Sequence, residues 1–472
     1  MGEMKLLVGI TNWGTVHDHY LARVVAEYRS MSFDVDIVVL TNAEKQVAPG
    51  VEVVAVDLKG QNPLSLPFAH KKLFSERLRN YDLFIYSEDD ILITERNIRT
   101  FLEDCEAVAE DELPGLLLYE TDPGGNRYLC NIHDHFRWNP ALTRRRANRT
   151  FGFFTNEHAA CYILTRKQLE RAIASGGYLV PPYEGRRYDL PCTASTDPYT
   201  QCGFLKVIDL SRIEDYLAHH LPNKYVGRMG ISYAEFAKHV ETLTALAGNG
   251  CAKQPLFEFE TKIFLGQWSK ALYESVRPEL MSLIPRGTRS LLSIGSGSGA
   301  LEEGIQRQGI QVTALPIDEV LGAVAEERGI RIVHGGFQAA LAQLRAERFD
   351  CLLFSNVLHL LPNPTEILSS FATLLSDSGH VVAGVPNLPK ISVFLRGLAG
   401  GKAYRELLGD EEPGFHVTSP GIMRKWFRSS GLSLDRVVFS SFGRRVEPIN
   451  RATFGLLRSI LSSQLWVRAR TL

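Results

Sequence analysis

The stretch Leu291-Leu292-Ser293-Ile294-Gly295-Ser296-Gly297-Ser298-Gly299 decides the fold of the C-terminal half of this chain. It is a short, largely apolar segment that runs into alternating glycines, and residues 300–307 follow it with the apolar spacing of a helix. Glycines at the turn from a first strand into its helix let the backbone approach a ligand closely. The stretch therefore predicts a ligand-binding turn at the first strand of an α/β sheet.

Strands and helices alternate downstream of this glycine turn. Apolar runs predict the strands, at residues 291–294, 311–315, 351–355, 381–385, 435–440 and 465–470. Residues 349–364 and 374–380 add two further motifs, and together with the glycine turn they resemble the class I S-adenosylmethionine-dependent methyltransferases over residues 286–472. A fold that binds a nicotinamide dinucleotide would not account for this second pair of motifs.

The methyltransferase resemblance implies S-adenosylmethionine as a cofactor, and it implies these binding residues: Gly295, Ser296, Gly297, Gly299, Asp318 and Asn356. Two positions depart from the class. The second strand usually ends in an acid that binds the ribose, but Pro316 stands there, with Asp318 two residues later. Gly336 occupies the place of an acid near the adenine. The candidate bases are His359 and His416, each with the alternative of a packed or surface histidine.

A second signal lies in the N-terminal half, at Tyr86-Ser87-Glu88-Asp89-Asp90. The patterns around it predict a helix at 17–30 and strands at 5–10, 35–40, 51–56 and 83–86. They imply a parallel sheet with the three acids at the carboxyl end of a strand. Three adjacent carboxylates repel one another unless a cation binds, and oxygen ligands suit Mg²⁺ or Mn²⁺. The alternative is a solvated acidic turn.

Residues 4–227 resemble the GT-A class of nucleotide-sugar glycosyltransferases. The resemblance rests on the βαβ opening, on the DxD-like Glu88-Asp89-Asp90, on residues 156–165 and on His219-His220. It implies that Asp89 and Asp90 hold the metal and that either His219 or His220 completes the coordination. The residues expected at the sugar nucleotide are Thr11, Lys71, Glu88 and Asp89. For Lys71 and Lys72, the alternative is the solvated face of a helix.

A general base is expected if this glycosyl transfer inverts the sugar configuration, because the acceptor hydroxyl must then lose its proton. Ser195-Thr196-Asp197 and residues 203–207 resemble the xED helix and the Gly-x-x-Lys strand of inverting GT-A enzymes, although Thr196 stands where Glu is common. Asp197 is the first candidate and Glu157 is its rival. Otherwise an Asp-Pro pair marks a helix start or a turn. The three arginines at 144–146 would meet an anionic acceptor, with a solvated loop as the alternative.

A chain of 472 residues is too long for one hydrophobic core. We expect a mixed α/β protein with a GT-A-like glycosyltransferase domain at 1–227, a helical connector at 228–285 and a Rossmann-like class I methyltransferase domain at 286–472. Residues 120–153 have the composition of a loop.

The formal net charge of −1 provides no field for nonspecific binding of nucleic acid. The seven cysteines include no CxxC pair and are expected to be reduced. With no signal peptide or transmembrane run in the sequence, a cytoplasmic location is expected.

These features predict a bifunctional transferase of bacterial surface-polysaccharide biosynthesis. Its first domain would transfer a sugar from a nucleotide-sugar donor to a glycan or lipid-linked glycan acceptor, with peripheral membrane association left open. Its second domain would methylate a sugar hydroxyl. One alternative is a glycosyltransferase whose methyltransferase-like domain is only structural. Another is a nonenzymatic scaffold, against which the intact acidic triplet counts.

Overall fold

The computed structural model describes residues 4–130, 135–146, 148–185, 187–226, 230–248, 255–388, 415–442 and 457–472, with a few positions between 395 and 407. The chain divides into two compact units, Met1–Ala252 and Lys253–Leu472. Each unit has its own sheets and its own buried apolar core. Among the described helices, none combines the length and the apolar character that crossing a bilayer requires.

The first unit contains short strands and helices in alternation. Its strands are β1 (Lys5–Asn12), β2 (Asp34–Thr41), β3 (Glu52–Ala55), β4 (Leu83–Glu88), β5 (Ile91–Leu92), β6 (Glu112–Pro114), β7 (Leu117–Thr121), β8 (Arg127–Cys130), β9 (Arg144–Arg146), β10 (Arg149–Gly152), β11 (Cys161–Thr165), β12 (Leu205–Asp209), β13 (Leu217–His220) and β14 (Gly230–Ser232). Its helices are α1 (Asp18–Ser30), α2 (Ala69–Glu76), α3 (Glu95–Cys105), α4 (Arg166–Ala174), α5 (Leu190–Thr200) and α6 (Tyr233–Gly248).

A five-stranded sheet with the order β11-β4-β1-β2-β3 forms the centre of the first unit. Strands β4, β1, β2 and β3 are parallel, and β11 runs antiparallel to β4. The nearly continuous apolar runs of β1 and β4 are buried, as expected for parallel strands that are covered on both faces. The chain winds outward from β1 to β3 and then returns to β4. This reversal leaves a crevice at the carboxyl ends of β1 and β4, where open α/β sheets bind ligands.

The loop expected at residues 120–153 is wrong, because this segment contains β8, β9, β10 and the end of β7. These strands are three to five residues long, and partners far away in the sequence pair with two of them: β10 with β12, and β8 with β14. Short strands of this kind carry almost no alternating pattern, so the tertiary pairing determines them.

The second unit is built around one seven-stranded sheet. Its strands are β15 (Ser290–Ser296), β16 (Gln311–Pro316), β17 (Arg331–Ile332), β18 (Phe349–Ser355), β19 (Leu375–Pro386), β20 (Leu432–Phe442) and β21 (Ser462–Thr471). Its helices are α7 (Pro278–Met281), α8 (Ala300–Gln306), α9 (Glu319–Glu327), α10 (Phe337–Leu344), α11 (Pro364–Ala372), α12 (Pro420–Ser429) and α13 (Arg458–Leu461). Every strand predicted for this half is present, and β17 was missed because it has two residues.

The strand order of this sheet is β17-β16-β15-β18-β19-β21-β20. Strands β17 to β19 are parallel, whereas β21 is antiparallel to both of its neighbours. The order reverses between β15 and β18, and the glycine turn leaves β15 at this point, which is where open α/β sheets bind ligands.

The segment predicted as a helical connector, residues 228–285, falls into both units and contains the helices α6 and α7. Helix α6 packs on β8, β10 and β14 of the first unit and buries Phe236 and Leu243 there. Residues 255–277 contain only one 3₁₀ turn, Phe264–Gly266, and they bury Phe257 and Leu272 in the core of the second unit. The aromatic composition of this segment therefore reflects core packing along an irregular backbone rather than a helical face.

Candidate functional site

The acidic triplet lies at the crevice of the first unit. Glu88 ends β4, and Asp89 and Asp90 follow it. The turn is held by two backbone hydrogen bonds, from Glu88 N to Ala160 O at 3.1 Å and from Leu221 N to Asp90 O at 2.9 Å. All three acids line a cavity of about 510 Å³, together with Thr11, which ends up beside them because β1 and β4 are neighbours.

Burial and mutual repulsion shape the charges of this triplet. Burial and the carboxylates of Asp90 and Asp89 raise the pKa of Glu88 to about 8. Burial and Asp90 also raise the pKa of Asp89. For Asp90 burial acts in the same direction, but the hydrogen bond and charge of His220 outweigh it and lower the pKa. A cation at this cluster would relieve the repulsion between the carboxylates and so favour their ionised forms.

Two histidines flank the two aspartates. His17 Nδ1 lies 3.0 Å from Asp89 Oδ1 and 3.5 Å from Asp90 Oδ2. His220 Nε2 lies 3.5 Å from Asp90 Oδ2. His219, the other predicted ligand, instead contacts Asn223 Oδ1 through Nε2 at 3.2 Å. Of the two predicted histidines, the structure therefore places His220 next to Asp90. The oxygen and nitrogen atoms of this set fit a divalent cation of the Mg²⁺ or Mn²⁺ type.

Several residues of this site, among them Trp13, were not predicted from the sequence. His17 precedes α1, Asn12 ends β1 and donates through Nδ2 to Asp89 Oδ2 at 2.7 Å, and the Lys224 side chain lines the cavity. Asn12 and His17 could have been predicted from their position in the sequence. Residues at the end of β1 and residues after β4 meet at the same edge of a parallel sheet. Lys224 carried no such signal, since β13 brings it there from more than a hundred residues away.

Lys71 and Asp197 do not line this cavity. They form an ion pair with each other, in which both side chains are buried, and Tyr183 OH donates to Asp197 Oδ1 at 2.6 Å. The solvated face proposed for Lys71 and Lys72 holds only for Lys72, which is exposed. Burial raises the pKa of Asp197, with Lys71 acting against it. The role of Asp197 as the general base stays a prediction. Its carboxylate already has two partners, Lys71 and Tyr183.

The remaining predicted residues of the first unit are also occupied. Glu157 accepts a hydrogen bond from Tyr188 OH at 2.5 Å and lies 3.6 Å from Arg187 Nη1. Arg144 and Arg146 pair with the buried carboxylate of Glu112, at 2.7 and 2.9 Å. Arg144 and Arg146 are therefore tied to Glu112 within a short strand, whereas Arg145 between them is exposed.

The glycine turn of the second unit meets the protein's own chain. A Cβ atom on Gly297 would lie 1.9 Å from the carbonyl oxygen of Leu272, and one on Gly295 would lie 3.0 Å from the ring of Phe257. Gly295 and Gly299 adopt positive φ angles of 73° and 85°, which favour glycine. These glycines allow residues 255–277 to pack on the loop, so the close approach expected for a ligand is made by the chain itself.

Other polar groups remain at the carboxyl ends of β15 and β18. Ser296 and Ser355 are the last residues of these two strands, and their hydroxyls are buried with no hydrogen-bond partner in the described part of the chain. Asn356 has a φ of 53° and is held by Glu274 Oε1 and Gln464 Nε2. Orphaned hydroxyls at the carboxyl ends of two neighbouring strands fit a polar cofactor such as S-adenosylmethionine. Asp318, by contrast, accepts from Leu321 N at 2.9 Å as the N-cap of α9.

The two candidate bases of this unit each bind a backbone carbonyl, and their role as bases stays a prediction. His359 is fully buried, and its Nε2 donates to Trp268 O at 2.7 Å. Burial lowers its pKa from 6.5 to about 4, although that hydrogen bond opposes the shift. His416 donates from Nε2 to Leu361 O at 2.8 Å. Both rings hold backbone carbonyls of the core.

Comparison with known proteins gives the class of the second unit. A family model described as a methyltransferase domain matches residues 268–437. The ubiquinone biosynthesis O-methyltransferase of Xanthomonas axonopodis pv. citri is 31% identical over 173 residues, which are 34% of this chain and 70% of that protein. The same enzyme of Xylella fastidiosa is 29% identical over 177 residues, covering 35% and 68% of the two chains.

Solved structures give matches of the same kind. A SAM-dependent methyltransferase from Archaeoglobus fulgidus is 17% identical with a TM-score of 0.30 and covers 40% of this chain and 88% of its own. The sequence relatives establish the class: through residues 268–437 this chain belongs to the family of S-adenosylmethionine-dependent methyltransferases. The protein is therefore a transferase with an α/β, Rossmann-like methyltransferase unit.

Proposed function

We propose that the protein is a bifunctional enzyme that transfers a sugar from a nucleotide-sugar donor and methylates a hydroxyl group of a glycan. The observation that carries the first activity is the group of Asp89, Asp90 and His17, which lines one cavity at the carboxyl ends of β1 and β4, with His220 Nε2 3.5 Å from Asp90 Oδ2. The methyltransferase relationship of the second unit carries the second.

The cavity of the first unit has the features that a sugar nucleotide needs. A divalent cation, when bound, would neutralise charge on the leaving diphosphate. Asp89 and Asp90 would hold it, and the ammonium group of Lys224 would face the phosphates. Trp13 lines the same cavity, and half of its surface is exposed. Its ring offers a flat face on which the nucleobase of the donor would stack. Thr11 and Glu88 complete the predicted donor contacts.

The second activity is the transfer of a methyl group to a hydroxyl. The relatives that match residues of this unit are O-methyltransferases by name, and we extend that acceptor chemistry, though not their substrate, to this chain. Two successive modifications of one glycan would account for a single chain with two transferase units. We therefore propose a role in surface-polysaccharide biosynthesis, in the cytoplasm, with a glycan or lipid-linked glycan as acceptor.

The test is thermal stabilisation of the full-length chain by a panel of nucleotide sugars with and without Mn²⁺, and by S-adenosylmethionine, since a ligand of the native state raises apparent stability. One nucleotide sugar should stabilise the protein only with Mn²⁺. Asp90→Asn should lose this effect and keep the response to S-adenosylmethionine. The exposed Asp111→Asn is the charge-matched control and should behave as the wild type. Metal-dependent stabilisation of Asp90→Asn equal to that of the wild type would refute the metal assignment.

A second candidate is a glycosyltransferase whose methyltransferase-like unit is structural. The packing of Leu272 on Gly297 and the use of Asp318 as a helix cap favour it. Calorimetry with S-adenosylmethionine separates the two proposals, because a structural unit would bind no cofactor. A product assay gives a second test, because a structural unit would release no S-adenosylhomocysteine in the presence of glycan.

A further inference from the structure

Glu120 is a buried carboxylate that the proposed function does not use. It lies in β7, next to β13, and only 1% of its surface is exposed. Its Oε1 accepts a hydrogen bond from His220 Nδ1 at 2.6 Å, and its Oε2 accepts one from the backbone N–H of Tyr225 at 2.8 Å. Both oxygens are therefore occupied, and one of them holds a histidine of the acidic site.

The opposite ring nitrogen of His220 faces that site. Nε2 lies 3.5 Å from Asp90 Oδ2, and the ring of Tyr225 stacks on the imidazole with centroids 5.5 Å apart. Asp90 Oδ1 is buried and accepts no hydrogen bond among the described residues, so this side of the site retains an unused ligand atom. The ring of His220 is thus fixed between Glu120 behind it and Asp90 in front.

The arrangement determines which nitrogen carries the proton. A carboxylate only accepts hydrogen bonds, so Glu120 keeps a proton on Nδ1. A nitrogen that coordinates a metal must present a lone pair, and the hydrogen bond of the other nitrogen sets which one does so.

We propose that Glu120 is a positioning residue: its contact with Nδ1 orients His220 so that Nε2 completes the metal site of Asp89 and Asp90. This inference rests on the proposed function, because it requires a cation at those aspartates. In this arrangement the carboxylate of Glu120 orients the ring of His220, and His220 binds the metal. His220, rather than His219, is then the third metal ligand.

A competing arrangement uses the same atoms. Cys130, Glu120 and His220 lie close enough to hold an ion by themselves. In that case Nδ1 would be the ligand, and Cys130 would have to act as a thiolate. Burial and the nearby carboxylate of Glu120 raise the pKa of the Cys130 thiol, which disfavours this form.

The experiment measures Mn²⁺ binding to the full-length protein by electron paramagnetic resonance, with Mn²⁺ alone as the probe. Glu120→Gln keeps the size of the side chain, and its oxygen can still accept from Tyr225 N–H, but it then presents an amide N–H to Nδ1 and moves the ring proton to Nε2. We expect the affinity for Mn²⁺ to fall about 10- to 100-fold. Pulsed resonance is measured in a His17→Gln background, because His17 Nδ1 also lies 3.0 Å from Asp89 Oδ1. In this background the spectrum should show coupling to an imidazole nitrogen, and the further change Glu120→Gln should remove it.

The control is Glu214→Gln, which removes a carboxylate that pairs with Arg127 and has no role at the acidic site. It should keep both the affinity and the nitrogen coupling. Coupling that persists after Glu120→Gln in the His17→Gln background would overturn the positioning role and leave the metal site standing. A wild type that binds no Mn²⁺ would overturn the inference together with the proposed glycosyl transfer. Loss of binding in Cys130→Ser as large as in Asp90→Asn would overturn it in favour of the competing site.

Discussion

At Gly297 the backbone has no room for a side chain, because a Cβ atom would overlap the carbonyl oxygen of Leu272. This oxygen is part of the main chain and accepts a hydrogen bond from Ser298 N at 2.8 Å, so it cannot swing aside. The sequence pattern pointed to a glycine kept for a cofactor. The structure gives the same glycine a packing reason, which applies whether or not a ligand is bound.

We therefore expect Gly297→Ala to destabilise the second unit by roughly 1–3 kcal/mol, the usual cost of overpacking a filled site. The matched control is Gly336→Ala, because a Cβ atom there would meet no atom within 4 Å. Denaturant unfolding of both variants and the wild type checks this expectation. Equal stability of the two variants would show that the Leu272 contact does not constrain position 297.

His359 makes the stability of the second unit depend on pH. Its folded-state pKa of about 4 lies below the ordinary 6.5, so between these values the unfolded chain binds a proton that the folded chain does not. Stability should therefore be lost as the pH falls from 6.5 to 4, by up to about 3 kcal/mol. His359→Gln keeps a donor for Trp268 O but does not titrate. The unfolding free energy of His359→Gln should fall less than that of the wild type between pH 6.5 and pH 4. If the two proteins show the same pH dependence of unfolding free energy, His359 is not the group responsible.

Asp318 is the N-cap residue of helix α9. Its carboxylate accepts from Leu321 N and so satisfies one of the free N–H groups at the start of α9. The sequence suggested a second role in cofactor binding, and these two roles predict different responses to substitution.

We expect Asp318→Ala to cost about 1 kcal/mol of stability, and Asp318→Asn to cost only a few tenths, because Asn caps helices as well as Asp does. Thermal unfolding measures this difference. If Asp318 also binds the ribose, then Asp318→Asn weakens S-adenosylmethionine binding at nearly unchanged stability. Equal destabilisation by Ala and Asn would show that capping is not the role of the carboxylate.

The two strand-order reversals illustrate what can be predicted at the scale of single elements. Strands β1, β4, β15 and β18 have long apolar runs, so their positions and the groups at their carboxyl ends could be read from the sequence. Lys71 and Asp197 could not be assigned in this way. Their pairing depends on how α2 and α5 pack, and that is not encoded in either segment alone.

For the whole molecule, the division between Ala252 and Lys253 differs from the predicted domain boundaries. Helix α6 and β14 complete the first unit, and residues 255–284 contribute Phe257, Leu272 and Leu280 to the cores of the second. Boundaries at 227/228 and 285/286 would cut through both cores.

We expect fragments 1–252 and 253–472 to be soluble and to unfold cooperatively, since each keeps its core. Fragments 1–227 and 286–472 should aggregate, because they expose the apolar surfaces that α6 and residues 255–284 cover. Expression of the four fragments, followed by size-exclusion chromatography and calorimetry, tests this. If fragment 1–227 is soluble and unfolds cooperatively, the predicted boundary at 227/228 is correct.

Three features could be predicted from the residues alone: the α/β class of both units, the methyltransferase relationship of the second and the acidic turn of the first. These features are local, because apolar runs, glycine turns and clustered acids are written in contiguous residues. Only the tertiary structure decided which histidine faces Asp90, that Lys71 and Asp197 satisfy each other, and that Leu272 occupies the space above Gly297. Each of these contacts joins segments that are far apart in the chain, and packing selects among partners that the sequence leaves equivalent.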